Sequence, residues 1–241
     1  MTENWDDVPF GELADFRNGL NFSSDCYGQG TKFIGVADFK DYFVPKYETL
    51  SEVVSDGLIK EAGLLENGDI LFVRSNGNKK LVGRSLFIKD LKEKVAYSGF
   101  CIRARPVSKK IDNLFLAYFC KSDAFRNRIA SVAGGANIQN LSQPVLARCP
   151  IPLPLLVIQK KIVWILSAYD ALIENNLKQI KLLEERAQTT YEEWFVRLSF
   201  PGHESTPINS ETGLPEGWNI VNLGDCFSHE IGGGWGEDES S

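Results

Sequence analysis

The stretch from Leu155 to Leu198 constrains the fold more than any other part of the chain, because it contains neither proline nor glycine. Pro152 and Pro154 stand just before it, and Pro201 and Gly202 stand just after it. Proline cannot continue a helix and glycine commonly ends one, so these residues are start and stop signals. The stretch therefore predicts a single helix about 65 Å long, at about 1.5 Å per residue.

Mainly apolar residues recur along this helix at alternating steps of four and three, and so form a seam on one face. The period of about 3.5 residues is typical of coiled coils. Asn176 interrupts the mainly apolar seam, and a single polar residue at such a position can fix the register of paired helices. The pattern predicts pairing with another helix, although a long amphipathic helix packed on its own domain is the alternative. The predicted seam consists of Ile162, Leu166, Tyr169, Ile173, Asn176, Ile180, Leu183, Ala187, Thr190 and Trp194.

Composition and motifs exclude several classes of protein. With 43% apolar and 24% charged residues, the chain is neither collagen-like nor mostly disordered, and no apolar run has the roughly 18 residues of a membrane span. The five cysteines are scattered and the two histidines lie near the C-terminus, which argues against a metal site and favours reduced thiols in a cytoplasmic protein. The sequence contains no GxxxxGK[ST] loop and no GxSxG elbow, so we expect no catalytic site.

A basic block stands out in this acidic chain. The whole chain has a net charge of −6, but residues 71–110 contain eleven Lys or Arg and two Asp or Glu, a local charge of +9. Arg and Lys bind guanine edges or phosphates, and Asn pairs with adenine edges, so the block predicts DNA contact. The alternative is a solvated basic sheet edge. The candidates here are Arg74, Ser75, Asn76, Asn78, Lys79, Lys80, Arg84 and Arg103, and alternation along a strand places Arg103 and Arg105 on one face.

Two further loops offer DNA-contact candidates. In the loop Gly134–Gln139, two glycines let the backbone approach a phosphate, and Asn137 and Gln139 supply donors and acceptors. The loop from Asn18 to Tyr27 contributes its two end residues. For the Gly134–Gln139 loop, an ordinary flexible loop is the alternative.

Local patterns predict strands around Val8 and over residues 32–38, 69–73, 81–88 and 95–103, and a helix over residues 51–65. Asp112 and Ser122 are expected to cap two further helices. Trp5, Val8 and Gly11 recur as Trp218, Val221 and Gly224 at a constant offset of 213 residues, which predicts the start of a second copy of the first domain.

The order of several motifs resembles the specificity subunits of type I restriction–modification systems. It runs from Trp5-x-x-Val8-x-x-Gly11-Glu12 through Gly68-Asp69-Ile70-Leu71-Phe72-x-Arg74 and Gly83-Arg84. It continues with Gly135-x-x-Ile138-Gln139-Asn140-Leu141 and with Ile151-Pro152-Leu153-Pro154, which leads into Gln159 and the long helix. Val157 and Ile158 depart from the family, which commonly has a small residue and Glu before this glutamine.

The resemblance implies an α+β target recognition domain at 1–154, a conserved spacer helix at 155–199, and a linker with a truncated second recognition domain at 200–241. It implies that the chain reads one half of a split DNA site and docks methyltransferase subunits. Catalysis would belong to partner subunits, with S-adenosylmethionine in the methyltransferase and ATP with Mg²⁺ in the restriction translocase. A chain of this length would complete its site as a homodimer through the long helix. The alternative function is a coiled-coil adaptor whose globular head binds a protein.

Overall fold

The computed structural model describes residues 5–23, 26–40, 42–54, 59–75, 77, 81–132 and 140–227. The chain divides into two compact units, residues 1–170 and 171–241. The first unit has the mixed α+β fold that the sequence predicts. In chain order, the elements are β1 Asp7–Pro9, β2 Ala14–Asn18, β3 Tyr27–Ile34, β4 Ser51–Val53, β5 Ile70–Val73, β6 Ser85–Phe87, β7 Val95–Tyr97, β8 Cys101–Pro106, α1 Asn113–Lys121, α2 Asp123–Val132, α3 Gln143–Arg148, β9 Pro150–Pro152 and α4 Leu156–Tyr191.

An antiparallel sheet in the order β2-β8-β5-β6 forms the centre of the first unit and is covered on both faces. Side chains alternate between the two faces of a strand. Ile70 and Phe72 of β5 therefore join one core cluster, together with apolar residues of α1, α2 and α3. Leu71 and Val73 join a second cluster on the opposite face. Burial on both faces explains why β5 reads as an uninterrupted apolar run.

A second sheet covers that opposite face. Its order is β4-β3-β7, with β3 antiparallel to β4 and parallel to β7. Ile34 of β3 and Tyr97 of β7 are fully buried in the second core cluster. A separate pair of strands, β1 and β9, joins Val8 to Ile151 and so places the start of the chain beside the segment that enters α4.

The two helix caps predicted from sequence are confirmed. The Asp112 carboxylate accepts hydrogen bonds from the backbone N–H groups of Leu114 and Phe115, each at 3.0 Å. The Ser122 hydroxyl oxygen accepts one from the Phe125 N–H at 3.2 Å. These bonds satisfy donors that have no partner inside the helix.

The helix predicted over residues 51–65 is wrong. The described part of this stretch contains strand β4 and a 3₁₀ turn at Glu61–Gly63. Val53 is buried in a third small cluster, and Ile59 and Leu64 pack against it. Contacts with β3 and β7 therefore determine the conformation of this stretch, and they override its local helical pattern.

The long helix is confirmed as α4, which continues into a π-helical turn at Glu192–Val196. Among the described residues, no helix is both long and apolar enough to cross a membrane. Within the second unit, Trp218 stacks on Phe200 at 5.2 Å and contacts Phe195 at 5.8 Å. A 3₁₀ turn begins at Phe10 and another at Leu223, again 213 residues apart. A second copy of the first domain stays a prediction.

Candidate nucleic-acid interface

The turn between β7 and β8, Ser98–Phe100, is where separate segments of the first unit meet. The segment after β2 lies directly on this turn: the Leu20 N–H donates to the Tyr97 carbonyl at 2.9 Å, and the Gly99 N–H donates to the Leu20 carbonyl at 2.8 Å. A Cβ atom at Gly19 would lie 2.3 Å from the Tyr97 and Ser98 carbonyl oxygens. Only glycine permits this close approach.

Arg74 reaches the same turn from the end of β5. Its N–H donates to the Phe100 carbonyl at 2.8 Å, and its guanidinium Nη1 lies 3.5 Å from the Gly99 carbonyl. A third segment follows, because the Leu141 N–H donates to the Arg74 carbonyl at 2.8 Å and Ser75 forms a β-bridge with Asn140. Backbone hydrogen bonds thus join four segments that are far apart in sequence: 18–20, 74–75, 98–100 and 140–141.

We call this set of segments the junction, defined as residues 18–20, 74–75, 98–100 and 140–141. It brings together one end of each of the three loops that the sequence selects as DNA-contact candidates. Asn18, Arg74 and Ser75 lie in the junction itself. Six further candidates lie outside the described residues, namely Asn76, Asn78, Lys79, Lys80, Asn137 and Gln139.

Phe100 is the junction residue that sequence reasoning missed. Its side chain is 57% exposed, and its own N–H donates to the Ser98 hydroxyl oxygen at 3.2 Å. The turn therefore exposes a large apolar ring, and its backbone is hydrogen-bonded to Leu20 and to Arg74. The sequence Ser98-Gly99-Phe100 could have indicated this residue. Glycine between two strands predicts a turn, and the aromatic residue that follows it lies in that turn.

The other described candidates lie away from the junction turn. Arg84 donates from Nη1 to the Lys40 carbonyl at 2.9 Å. It lines a cavity of about 220 Å³ whose further cationic walls are Lys40, Lys121 and Arg126. Tyr27 begins β3, is half-exposed, and meets the Phe33 ring edge-on at 6.2 Å.

Arg103 and Arg105 share one face of β8, as alternation predicts, but the segment 62–69 covers that face. Arg103 is only 6% exposed, and its Nη1 donates to the carbonyls of Ala62 and Leu64 at 3.2 and 3.3 Å. DNA contact by Arg103 stays a prediction, but these surroundings favour a role in holding the 62–64 segment against the sheet.

Arg105 forms a buried ion pair with Asp69, a residue of the Gly68-Asp69-Ile70 motif. The guanidinium Nε and Nη2 each donate to one Asp69 carboxylate oxygen at 2.8 Å, and Nη1 also pairs with Glu66. Asp69 is 1% exposed. Hydrogen bonds to Asp69 raise the pKa of the Arg105 guanidinium above its already high value. This motif residue therefore has a structural role in the first unit.

The predicted seam on α4 divides into two parts. Ile162 packs against the core of the first unit together with Val163, so it is already partly buried. From Leu166 onward the large apolar seam residues are exposed, with Tyr169 at 63% and Leu183 at 65%. Among the described residues, no group of three His, Cys, Asp or Glu side chains forms a metal site.

Comparisons with known proteins identify the family. A family model of the type I restriction modification DNA specificity domain matches residues 2–185. The StySPI specificity subunit of Salmonella potsdam is 26% identical over 238 residues, which cover 93% of this chain and 48% of that subunit. The EcoKI specificity subunit of Escherichia coli (strain K12) is 29% identical over 171 residues, covering 66% of this chain and 35% of that subunit.

Further relatives and a solved structure agree. A putative type I restriction enzyme MjaX specificity subunit of Methanocaldococcus jannaschii is 28% identical over 229 residues, covering 93% of this chain and 53% of that subunit. The chain thus spans about half the length of such relatives. One solved structure, described as showing complex assembly and conformational transition of the type I R-M system, contains a chain that matches with a TM-score of 0.51 and 21% identity. The match covers 85% of this chain and 46% of that chain, and it shows that the two share a fold. The family model covers most of the residues, and we conclude that the chain belongs to the type I restriction–modification DNA specificity family.

Proposed function

We propose that this chain recognises one half of a split DNA site as the specificity subunit of a type I restriction–modification complex. The junction is the observation that supports this proposal most directly. It holds one end of each of three candidate loops around one turn, next to Arg74 and the exposed Phe100. A specific reader needs several side chains held in one arrangement, because base edges are discriminated by geometry.

The roles of the junction side chains follow from their chemistry. Arg74 has a guanidinium that can bind the two acceptors on the guanine edge, a contact worth about 1–3 kcal/mol of discrimination. Phe100 offers an apolar surface for a thymine methyl group. The basic loop residues between 76 and 80, together with Arg84, would bind phosphates, with Asn137 and Gln139 as further polar contacts.

The exposed part of the α4 seam supports a second element of the proposal, which is helix pairing. Large apolar side chains such as Ile173 and Ile180 are more than half exposed along this face. A second copy of the chain, packed antiparallel through the same seam, would bury them and supply a second DNA reader. Asn176 would then favour one register of the two helices.

The remaining components of the proposal concern partners. Methyltransferase subunits would dock on this chain and bind S-adenosylmethionine, and a restriction subunit would use ATP with Mg²⁺. This chain itself would hold no cofactor and catalyse no reaction. It would act where cellular DNA is found, in the cytoplasm.

The proposal can be tested by selecting duplexes from a random library with the chain and its methyltransferase subunit, followed by affinity measurements at several salt concentrations. We expect one enriched half-site and an affinity that falls steeply with salt, because bound phosphates release counterions. Arg74→Ala should relax one base position. Lys109→Ala, which lies beyond the opposite end of β8, is the control and should leave the selected sequence unchanged.

The adaptor hypothesis predicts a different outcome. An adaptor would select no sequence and bind no duplex at low salt, even with the methyltransferase subunit present. That result would refute DNA recognition. The pairing hypothesis is tested separately by light scattering, which should give about twice the 26.9 kDa chain mass. A monomer at micromolar concentration would contradict pairing through α4.

A further inference from the structure

Gln159, in the first turn of α4, is fully buried, and both polar atoms of its side-chain amide are hydrogen-bonded. Its Oε1 accepts a hydrogen bond from the Asp112 N–H at 2.7 Å. Its Nε2 donates to the carbonyls of Lys110 at 2.9 Å and Pro154 at 2.7 Å. A primary amide has two donor hydrogens, and both have partners here. These bonds connect the beginning of α4 with the segment that leads into α1.

A second contact restrains α4 further along. The Tyr118 hydroxyl of α1 donates to the Asp170 carboxylate, while the Tyr118 ring stacks on Phe43 with centroids 4.8 Å apart. Asp170 lies eleven residues after Gln159, which is about 16 Å along a helix. Between these two points, Ile162 and Val163 pack against the core of the first unit. Apolar packing is not directional, so the hydrogen bonds on either side of it restrict the direction of the helix more than the packing alone would.

The direction of α4 has a large effect at its far end. The 36 residues of α4 span about 54 Å at about 1.5 Å per residue. A swing of about 10° at the start would displace the far end by roughly 9 Å, whereas successive base pairs are about 3.4 Å apart. A swing of this size would therefore change the length of DNA between the half-sites by two or three base pairs.

We infer that Gln159 is a positioning residue that sets the length of DNA between the two half-sites, and that Tyr118 and Asp170 support it. The inference rests on the proposed function. An apolar residue would fill the same buried position without the cost of removing an amide from water, and only the amide imposes directional bonds. Gln159 determines spacing, while Arg74 and the junction determine which bases are read.

The test is a selection from duplexes whose half-sites are separated by spacers of variable length, using the full chain with its methyltransferase subunit. Gln159→Met keeps the size of the side chain and removes all three hydrogen bonds. We expect this variant to select the same bases as the unmodified chain and to lose its preference for one spacer length. Gln179→Met, on the exposed surface of the same helix, is the matched control and should keep both preferences.

Tyr118→Phe is a second variant for the case in which Gln159→Met does not fold, since it keeps the stacked ring and removes only the bond to Asp170. It should broaden spacer preference in the same direction. If the folded variants keep the spacer length of the unmodified chain, the inference is wrong while DNA recognition stands. If the unmodified chain selects no half-site at all, both the proposed function and the inference fail.

Discussion

Removing Arg105 should destabilise the first unit more than neutralising its partner Asp69. Arg105→Met leaves a carboxylate that is 1% exposed without its cation, and breaking a buried pair in this way costs about 3–5 kcal/mol. We take about 3 kcal/mol, because the Glu66 N–H still donates to the Asp69 carboxylate at 2.7 Å. Asp69→Asn should cost about 1–2 kcal/mol, since the Arg105 side chain is 24% exposed and keeps its bond to the Leu64 carbonyl.

Urea unfolding followed by circular dichroism measures these free energies, and the double variant gives the coupling between the two residues. We expect a coupling of about 2 kcal/mol and, for Arg105→Met alone, a fall in Tm of roughly 6–12 °C.

Lys32→Met is the matched control. Lys32 pairs with Glu93, which is 54% exposed, so solvent screens this ion pair and the loss should be much smaller than that of Arg105→Met. A coupling below about 0.5 kcal/mol would refute this reasoning, as would an Asp69→Asn loss equal to that of Arg105→Met. Asp69→Asn should also select the same bases as the unmodified chain, because the Asp69 side chain is buried against Arg105 and does not belong to the junction.

Three further predictions test other surfaces of the molecule. In a binding titration, Phe100→Ala should lower affinity for the selected half-site about tenfold, the order expected for one base contact. The control Val107→Ala alters a side chain that is also 57% exposed and should leave the affinity unchanged. Equal effects of the two substitutions would show that Phe100 does not contact DNA. Ile173→Asp should give a monomer in light scattering, whereas Leu182→Asp, on another face of α4, should leave the dimer intact. A dimer that persists in Ile173→Asp would show that the helices do not pair through the seam. Burial raises the pKa of the Cys149 thiol to about 12 and also raises the pKa values of Cys101 and Cys120. In the folded protein, an aromatic disulfide reagent should therefore react only with the remaining two cysteines, Cys26 and Cys226. Unfolded thiols ionise near pH 8.5; the folded state then binds more protons, and stability should fall as pH rises above that value. Reaction of all five thiols without denaturant, or a stability that is flat from pH 8 to 10, would contradict this.

Features with local causes could be predicted from the sequence. The caps at Asp112 and Ser122 depend on residues within three positions, and the long helix depends on the absence of proline and glycine. Alternation correctly placed Arg103 and Arg105 on one face of β8. What the sequence did not reveal is that residues 62–69 cover this face, because that contact joins positions some forty residues apart.

The failures have the same physical origin. The helix expected over residues 51–65 is wrong because Val53 and Leu64 meet β3 and β7, which no local pattern contains. Phe100 was missed because an exposed ring is conspicuous only once Arg74 and Leu20 are seen beside its turn. Gln159 was recognised as part of a motif, but the role of its amide depends on partners at positions 110, 112 and 154.

The junction also determines how easily this protein can acquire a new specificity. Most of the hydrogen bonds that hold it join main-chain N–H and carbonyl groups, which are present in every residue except for the missing N–H of proline. Under the proposed function, replacing Arg74 or Phe100 would therefore change the chemical group offered to a base and leave the backbone arrangement intact. Recognition would then diverge by single substitutions at the junction, without any compensating change in the core.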